Sequence, residues 1–436
     1  MSNVYRDELS REARSLSDPN STLMGNSALP TSVVRSVIRE ALSDLTVLEI
    51  CNVVVDATMG FTIQIPYETR LPGSILNDGI YFEGDEIPLS SVRQDMATAY
   101  VQAMKLGFAI SNELDFFSRN GMIDWNALDR LVASNAWIIK TRIHMRIANE
   151  MQRASDAFQA ETVSAENIAS QLTGSNSLIK TTRFPVVKPH QTRDIRGTAI
   201  GSEENPLTLI VNGAAVPAFD GSGTQAAGIY FIAESLNLGY FRLVNQVGAA
   251  VTPIAVSAVI SYSAATNVAF FDMKLPDGIK LSDHLNGALR VIEERQSMMH
   301  HERHLNTDFV LGGPILINEL SWATSFQEMD RRRATEAGKD GQCAFIKAMP
   351  VFCSNAPGVN FGDERLMIGV KGSCTYAISK PWSTTPPFEA VGPNRKPTGE
   401  KLAYGEEYNA IIVPHPLRGQ LTSVICYDSD ARAAAV

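Results

Sequence analysis

Five cysteines in 436 residues, at positions 51, 343, 353, 374 and 426, are too few, too widely spaced and odd in number for a disulfide framework. No two of them form a C-x-x-C pair, so spacing offers no structural zinc site either. They read as reduced thiols, most of them packed in a core. No apolar run reaches the roughly 18 residues that a membrane-spanning helix needs. The opening residues are charged and polar and lack the basic-then-apolar order of a secretory signal, so export by that route is not expected. Basic charge is also short: 38 Lys and Arg against 47 Asp and Glu leave a net charge of −9. A surface that grips phosphates broadly is usually basic, which argues against sequence-specific nucleic-acid binding. An acidic wall can still surround packed nucleic acid. The phosphate-loop, dinucleotide, serine-hydrolase and H-E-x-x-H motifs are all absent.

What is present is a globular composition, 44% hydrophobic and 19% charged, at a length that suggests two or three domains. Residues 1–30 are polar and read as an extended arm. Pro30-Thr31-Ser32 then opens an amphipathic helix carrying Val33, Val34, Val37, Ile38, Leu42 and Leu45. Phe61-Thr62-Ile63-Gln64-Ile65 alternates as a half-buried strand does and stops at Pro66. A breaker-rich stretch follows, and a second extended segment covers 92–110. Two long strands with such a connection predict a projecting hairpin of functional or interactive character.

Neither glycine nor proline occurs between Asp124 and Gly174, and Leu128, Leu131, Val132, Ile139, Ile143, Ile147 and Met151 form a helical stripe. One helix of about 30 residues is expected, capped by Asp124, with Arg146, Glu150 and Arg153 largely off the stripe. Lysine is absent between Lys188 and Lys274, where short apolar runs alternate with turns such as Asn212-Gly213, the pattern of an all-β module. Ser282-Asp283 opens a further helix ending near His304, and an α/β region with two last strands between 410 and 427 completes the chain.

Candidate chemistry is thin. His300 and His304, spaced i and i+4, would share a helix face and could hold zinc or nickel. Arg303 between them repels a cation, and histidines at a helix C-terminus also complement its dipole. Arg331-Arg332-Arg333 lies among acidic residues and reads as a solvated loop or subunit contact. Gly312-Gly313-Pro314 lacks a following Lys-Ser/Thr and a helix start, and reads as a tight turn. Asp124 and Asp129 are five apart and do not share a face, while Trp125 and Trp137 read as packing residues.

Several segments fall in a distinctive order. Glu83-Gly84-Asp85-Glu86-Ile87-Pro88 lies in the loop, and Lys105-Leu106-Gly107-Phe108-Ala109-Ile110-Ser111-Asn112-Glu113-Leu114 leads from it towards the long helix. Asp308-Phe309-Val310-Leu311-Gly312-Gly313-Pro314, Ala348-Met349-Pro350-Val351-Phe352 and Leu366-Met367-Ile368-Gly369-Val370 follow. Together they resemble the extended loop, the strand entering the spine helix, and the axial-domain strands of the HK97-like major capsid proteins of tailed double-stranded DNA bacteriophages. The likeness covers most of the chain outside 185–272.

The resemblance implies an α+β fold in seven parts. These are an N-terminal arm with a helix (1–52), an extended hairpin loop or E-loop (53–95), a P-domain with the spine helix (96–184) and an inserted all-β domain (185–272). A helix linking back to the core (273–304), an A-domain (305–402) and returning C-terminal strands (403–436) complete the chain. It implies a structural role with no catalytic residue, cofactor or metal. The subunit would assemble with itself into the pentamers and hexamers of an icosahedral head, with double-stranded DNA on the inner face and no sequence specificity. Implied partners are a scaffolding protein, a portal and a cement or decoration protein, with no membrane. Its place would be the virion, after assembly in the host cytoplasm. A separate scaffold is expected because the long N-terminal segment that acts as built-in scaffold in some relatives is lacking.

Some relatives join subunits through a loop lysine. Here the first lysine is Lys105, so no such bond is expected. Arg70, Glu83, Asp85, Glu86 and Arg93 are candidates, by position, for inter-subunit ion pairs of about 1 kcal/mol or less each, repeated over many copies. The 185–272 insertion would be a decoration that stiffens the shell or a module that binds glycan or a minor capsid protein. Two alternatives are an encapsulin-type nanocompartment shell, which shares the fold, and a metal-dependent hydrolase built on His300 and His304.

Overall fold

The structure, a computed structural model, describes residues 46–55, 60–70, 92–112, 127–221, 225–326, 342–346, 349–353, 364–384, 388–391 and 397–434. The expected arm helix, the loop tip, Asp124, Trp125 and Arg331–Arg333 lie outside these residues.

After a 3-10 turn at Thr46–Glu49, β1 (Asn52–Val55) leads into β2 (Thr62–Arg70), which pairs antiparallel with β3 (Val92–Tyr100). The register runs from Thr62↔Tyr100 to Arg70↔Val92, so the expected hairpin is there. It continues four residues past Pro66, where the sequence had suggested a stop. A two-stranded ribbon has two free edges, and a proline whose nitrogen faces outward costs no ladder bond. The second extended segment is not one strand. It breaks at the buried Val101, whose N–H donates to the Phe61 carbonyl at 3.0 Å, and continues as β4 (Gln102–Ser111) in a different sheet.

Helix α1 (Ala127–Ala157) has 31 residues, about 46 Å at 1.5 Å per residue. Ile139, Ile143, Ile147, Met151 and Ala154 form its buried stripe. Trp137, expected to pack, is 56% exposed. It precedes Ile139 by two positions, about 200° around the helix, and so projects away from the core.

The β module begins earlier than 185. It contains β5 (Glu161–Asn167), β6 (Leu178–Lys180), β7 (Thr208–Val211), β8 (Ala214–Val216), β9 (Ile229–Ser235), β10 (Tyr240–Asn245) and β11 (Ala258–Ala264). These form two sheets, ordered β5-β11-β7-β8 and β6-β10-β9, around a core that includes Leu209, Phe231, Phe241, Leu243 and Ile260. Most of β5 is exposed, which hides it from a search for alternation. At the β7–β8 turn Asn212 and Gly213 both have positive φ (50° and 80°), as the tight hairpin requires.

The next strand, β12 (Val268–Asp272), leaves the module and joins a six-stranded sheet. Helix α2 (Leu281–Arg303) and β13 (Phe309–Gly312) follow, and then α3 (Pro314–Leu320) starts directly at Pro314, with Gly313 as its cap. The Gly-Gly-Pro segment is therefore a helix entry and not merely a turn; proline fits the first helical position because its missing N–H has no partner to lose there. The remaining strands are β14 (Gln342–Ile346), β15 (Met349–Cys353), β16 (Arg365–Gly369), β17 (Thr375–Thr384), β18 (Phe388–Val391), β19 (Pro397–Ile412) and β20 (Leu421–Tyr427); helix α4 (Ser429–Ala434) ends the described chain.

The six-stranded sheet runs β12-β20-β16-β13-β15-β14. Alternate residues face opposite layers: Val310, Leu366, Ile368 and Val424 pack against Leu285, Ala288, Leu289 and Ile292 of α2. Phe309, Leu311, Met367 and Phe352 share a core with Ile143, Ile147 and Met151 of α1. Each such side chain, fully buried, contributes about 1.5–3 kcal/mol. The second large sheet runs β1-β17-β19-β18, with β4 also on β19. The two final strands thus part company, β19 to one sheet and β20 to the middle of the other. Cys353, Cys374 and Cys426 are buried, in keeping with their reading as core residues.

Strand β19 accepts the ring of Trp382 only because residue 405 is glycine: a Cβ there would lie 1.9–2.8 Å from three ring atoms. Gly405→Ala is expected to lower stability by about 1–3 kcal/mol through overpacking, read by thermal unfolding. An unchanged transition would contradict the close approach.

Candidate functional site

A buried polar cluster sits where α1, the six-stranded sheet and the β module meet. Arg365 opens β16 on the face that also carries Met367, and is 0% exposed. Its guanidinium takes Asp156, in the last turn of α1, as a two-pronged partner, with Nη1 3.0 Å from Oδ2 and Nη2 on Oδ1. Nη1 also donates to Asn237 Oδ1 of the β module at 3.0 Å, and Nε and Nη2 donate to Ser423 Oγ of β20 at 3.2 and 2.9 Å. Gln152 Nε2 reaches the same Asn237 oxygen at 3.1 Å. Burial pushes the Asp156 carboxyl up from its ordinary value, and the guanidinium beside it opposes that. A carboxylate in the last turn of a helix also works against the helix dipole, so the pairing with Arg365 is what makes this position tenable.

Two further nodes flank this one. Asn267, on leaving the β module, donates to the Ser155 and Leu421 carbonyls at 3.2 and 2.7 Å, and its oxygen accepts from Arg303 of α2 at 2.7 Å. Arg303 also lies over the Phe158 ring at 4.6 Å. On the other side, Arg153 pairs with Glu150 and with Glu204 of the β module, and Arg418 reaches Glu204 at 3.2 Å. Burial alone would raise the Glu204 carboxyl, but Arg418 and Arg153 together hold it below its ordinary value. His190, in the same group, is pushed down by burial and by Arg153. Arg146, Glu150 and Arg153 are therefore bound and not solvated: Arg146 donates to Asn409 at 2.7 Å and Gln102 at 3.0 Å.

The residues singled out from the sequence are elsewhere. Arg70 pairs across the hairpin with Val92, and Arg93 with Thr69, so the two arginines occupy successive rungs at the distal end of the β2–β3 ladder. Glu83, Asp85 and Glu86 lie outside the described residues. The two histidines do not share a helix face. Helix α2 ends at Arg303, His304 turns into the left-handed region with φ 53°, and the His300 ring bonds Asn306 at 2.9 Å. Among the described residues, no group of three His, Cys, Asp or Glu side chains is gathered as a metal site, and no helix is long and apolar enough to cross a membrane.

Sequence reading missed Arg365, Asp156 and Asn237. Arg365 and Asp156 are 209 residues apart, beyond any local signal. The available hint is a charged residue directly before the wholly apolar run Leu366-Met367-Ile368.

No protein-family model matches the chain, and no curated protein matches it. Among solved structures, it is similar to a chain from Mycobacterium phage Bobi, at 9% identity and TM-score 0.45, covering 88% of this chain and 90% of that one. It is similar to a chain from the asymmetric unit of the bacteriophage PhiM1 mature capsid, at 7% identity and TM-score 0.42, over 87% and 86% of the two chains. It is also similar to a chain from the capsid structure of the cyanophage P-SCSP1u, at 9% identity and TM-score 0.41, over 88% of each.

Removing one partner of the buried pair while keeping its shape leaves the other charge uncompensated. Asp156→Asn is expected to cost about 3–5 kcal/mol in thermal or urea unfolding. The double variant Asp156→Leu/Arg365→Met should lose clearly less than the sum of its single changes. Strict additivity would mean that the two groups do not depend on one another.

Proposed function

We propose that the chain is a structural capsid subunit with an HK97-like arrangement, assembling with copies of itself into the pentamers and hexamers of an icosahedral phage head around double-stranded DNA. The observation that carries this reading is the β2–β3 hairpin. It forms its own two-stranded sheet, and its base packs on the body, where Ile63, Ala99 and Val101 meet Ala377 and Ala410. Isolated two-stranded ribbons are marginal in water. Phe61 and Met96 on the ribbon are 71% and 64% exposed. A neighbouring subunit that covers it would supply the missing burial, and repetition of that contact around a ring closes a capsomer.

In this reading the part of 96–184 that precedes β5 carries the P-domain's spine helix, 305–402 contributes the A-domain, 403–436 returns to the core of both, and the β module is an insertion beside them. Arg70, Glu83, Asp85, Glu86 and Arg93 are then the candidates for ion pairs with the neighbouring copy. Lysine is absent from the loop, so the contacts of this reading are non-covalent and a cement protein could add to them. A scaffold and a portal are the other partners that the reading implies. Acidic net charge suits an inner wall that encloses DNA without gripping it.

Light scattering with negative-stain microscopy of the purified protein, alone and co-expressed with the products of neighbouring genes, tests this. Closed shells or rings of five or six subunits are expected. A monomer under every condition would overturn the reading, and shells filled with an enzyme and devoid of nucleic acid would point to a nanocompartment.

A further inference from the structure

Strand β1 is four residues long and mostly exposed, and it is paired in parallel with β17, from Asn52↔Thr375 to Val55↔Ile378. The N–H of Asn52 donates to the Cys374 carbonyl at 2.8 Å, and the N–H of Gly372 donates to the Ile50 carbonyl at 2.7 Å. Carried back one residue, this register sets Cys51 opposite Cys374. Aligned residues of a parallel pair point to the same face, and neighbouring strands lie about 4.8 Å apart. That is inside the roughly 4.4–6.8 Å between Cα atoms that a disulfide accepts. Both side chains enter one core, beside Val47, Ile50 and Tyr376. Cys374 is fully buried, whereas Cys51 is half-buried and reachable from outside.

We propose that Cys51 and Cys374 are an oxidisable pair that closes into a disulfide in the presence of a low-molecular-weight disulfide such as glutathione disulfide. The Cys51 thiolate attacks one glutathione sulfur, the glutathione S–S bond breaks, and one glutathione leaves as a thiol. The Cys374 thiol then gives up its proton, and its sulfur attacks the Cys51 sulfur, forming the protein S–S bond and releasing the second glutathione. Two cysteine thiols are oxidised and one glutathione disulfide is reduced to two thiols. The order of events follows from exposure. Cys51 can be reached, while the Cys374 thiol, pushed up by the neighbouring Cys51 thiol and by burial, is a poor first nucleophile. The bond would fasten a short, weakly held strand to the five-stranded sheet where the chain departs for the hairpin. It would also close a very long loop in the unfolded chain. None of this depends on what the chain assembles into.

The test is to incubate the full folded chain with excess glutathione disulfide, alkylate the remaining thiols, digest and map peptides by mass. The expected product is a peptide pair joining Cys51 to Cys374, lighter by two hydrogens than the thiol forms and lost on reduction. The oxidised chain should unfold on the order of 5 °C higher than the reduced one. Cys51→Ser should show neither the cross-link nor the rise; if that variant does not fold, the map of the unaltered chain decides alone. A stable glutathione adduct on Cys51, two fully alkylated thiols after oxidation, or a cross-linked chain that unfolds at the reduced temperature would each overturn the proposal.

Discussion

The guanidinium of Arg365 and the carboxylate of Asp156 meet where water reaches neither. A lone charge at that depth costs several kcal/mol, so each group fixes the place of the other. Asn237 and Ser423 take up further donors of the guanidinium. Four separate pieces of chain are thereby brought to one point: the end of α1, the start of β16, the middle of β20 and the β9–β10 turn. Apolar layers on both faces of the six-stranded sheet supply most of the cohesion, but they are non-directional. The polar joint gives them a direction, since it is satisfied in only one relative placement of helix, sheet and module.

Such a joint braces the body of the chain. The Asn267–Arg303 node ties α2 to the same corner, and Glu204 with Arg153 and Arg418 ties the near side of the β module. At the far end Arg432 lies over the Phe184 ring at 3.8 Å and donates to the Thr181 carbonyl, so α4 latches the module to the sheet. Against this braced body the β2–β3 hairpin is the exception. Its base is anchored by small and branched side chains, and its other described pairing is with itself. In the proposed assembly, the next copy would complete the ribbon's burial.

Local patterns were legible where one face of an element is buried and the other is wet. The stripe of α1 and the half-buried strand β2 are of that kind, and the Asn212-Gly213 turn announces itself by its dipeptide. Strand 309–312 was legible instead as an unbroken apolar run, because both its faces are buried, while 349–353 and 365–369 were expected only through the resemblance. Failures arose where tertiary context decided. Pro66 sits inside a strand because the ribbon has free edges, and Val101 marks a change of sheet that no local period announces. Strand β5 is mostly exposed and shows no apolar alternation. Trp137 faces outward although its type suggested packing. The His300–His304 pair was divided by a helix end that a spacing rule ignores. The joint itself was invisible, because a single Arg and a single Asp far apart in sequence look like any surface charges until the fold brings them together.

Hydrogen–deuterium exchange at 62–70 and 92–100 tests the central claim most directly. The ribbon's backbone is expected to exchange rapidly in the dispersed subunit and slowly in assembled particles, while α1 and the six-stranded sheet stay protected in both. Equal protection of the ribbon in the dispersed subunit would contradict the account, since the hairpin would then need no neighbour.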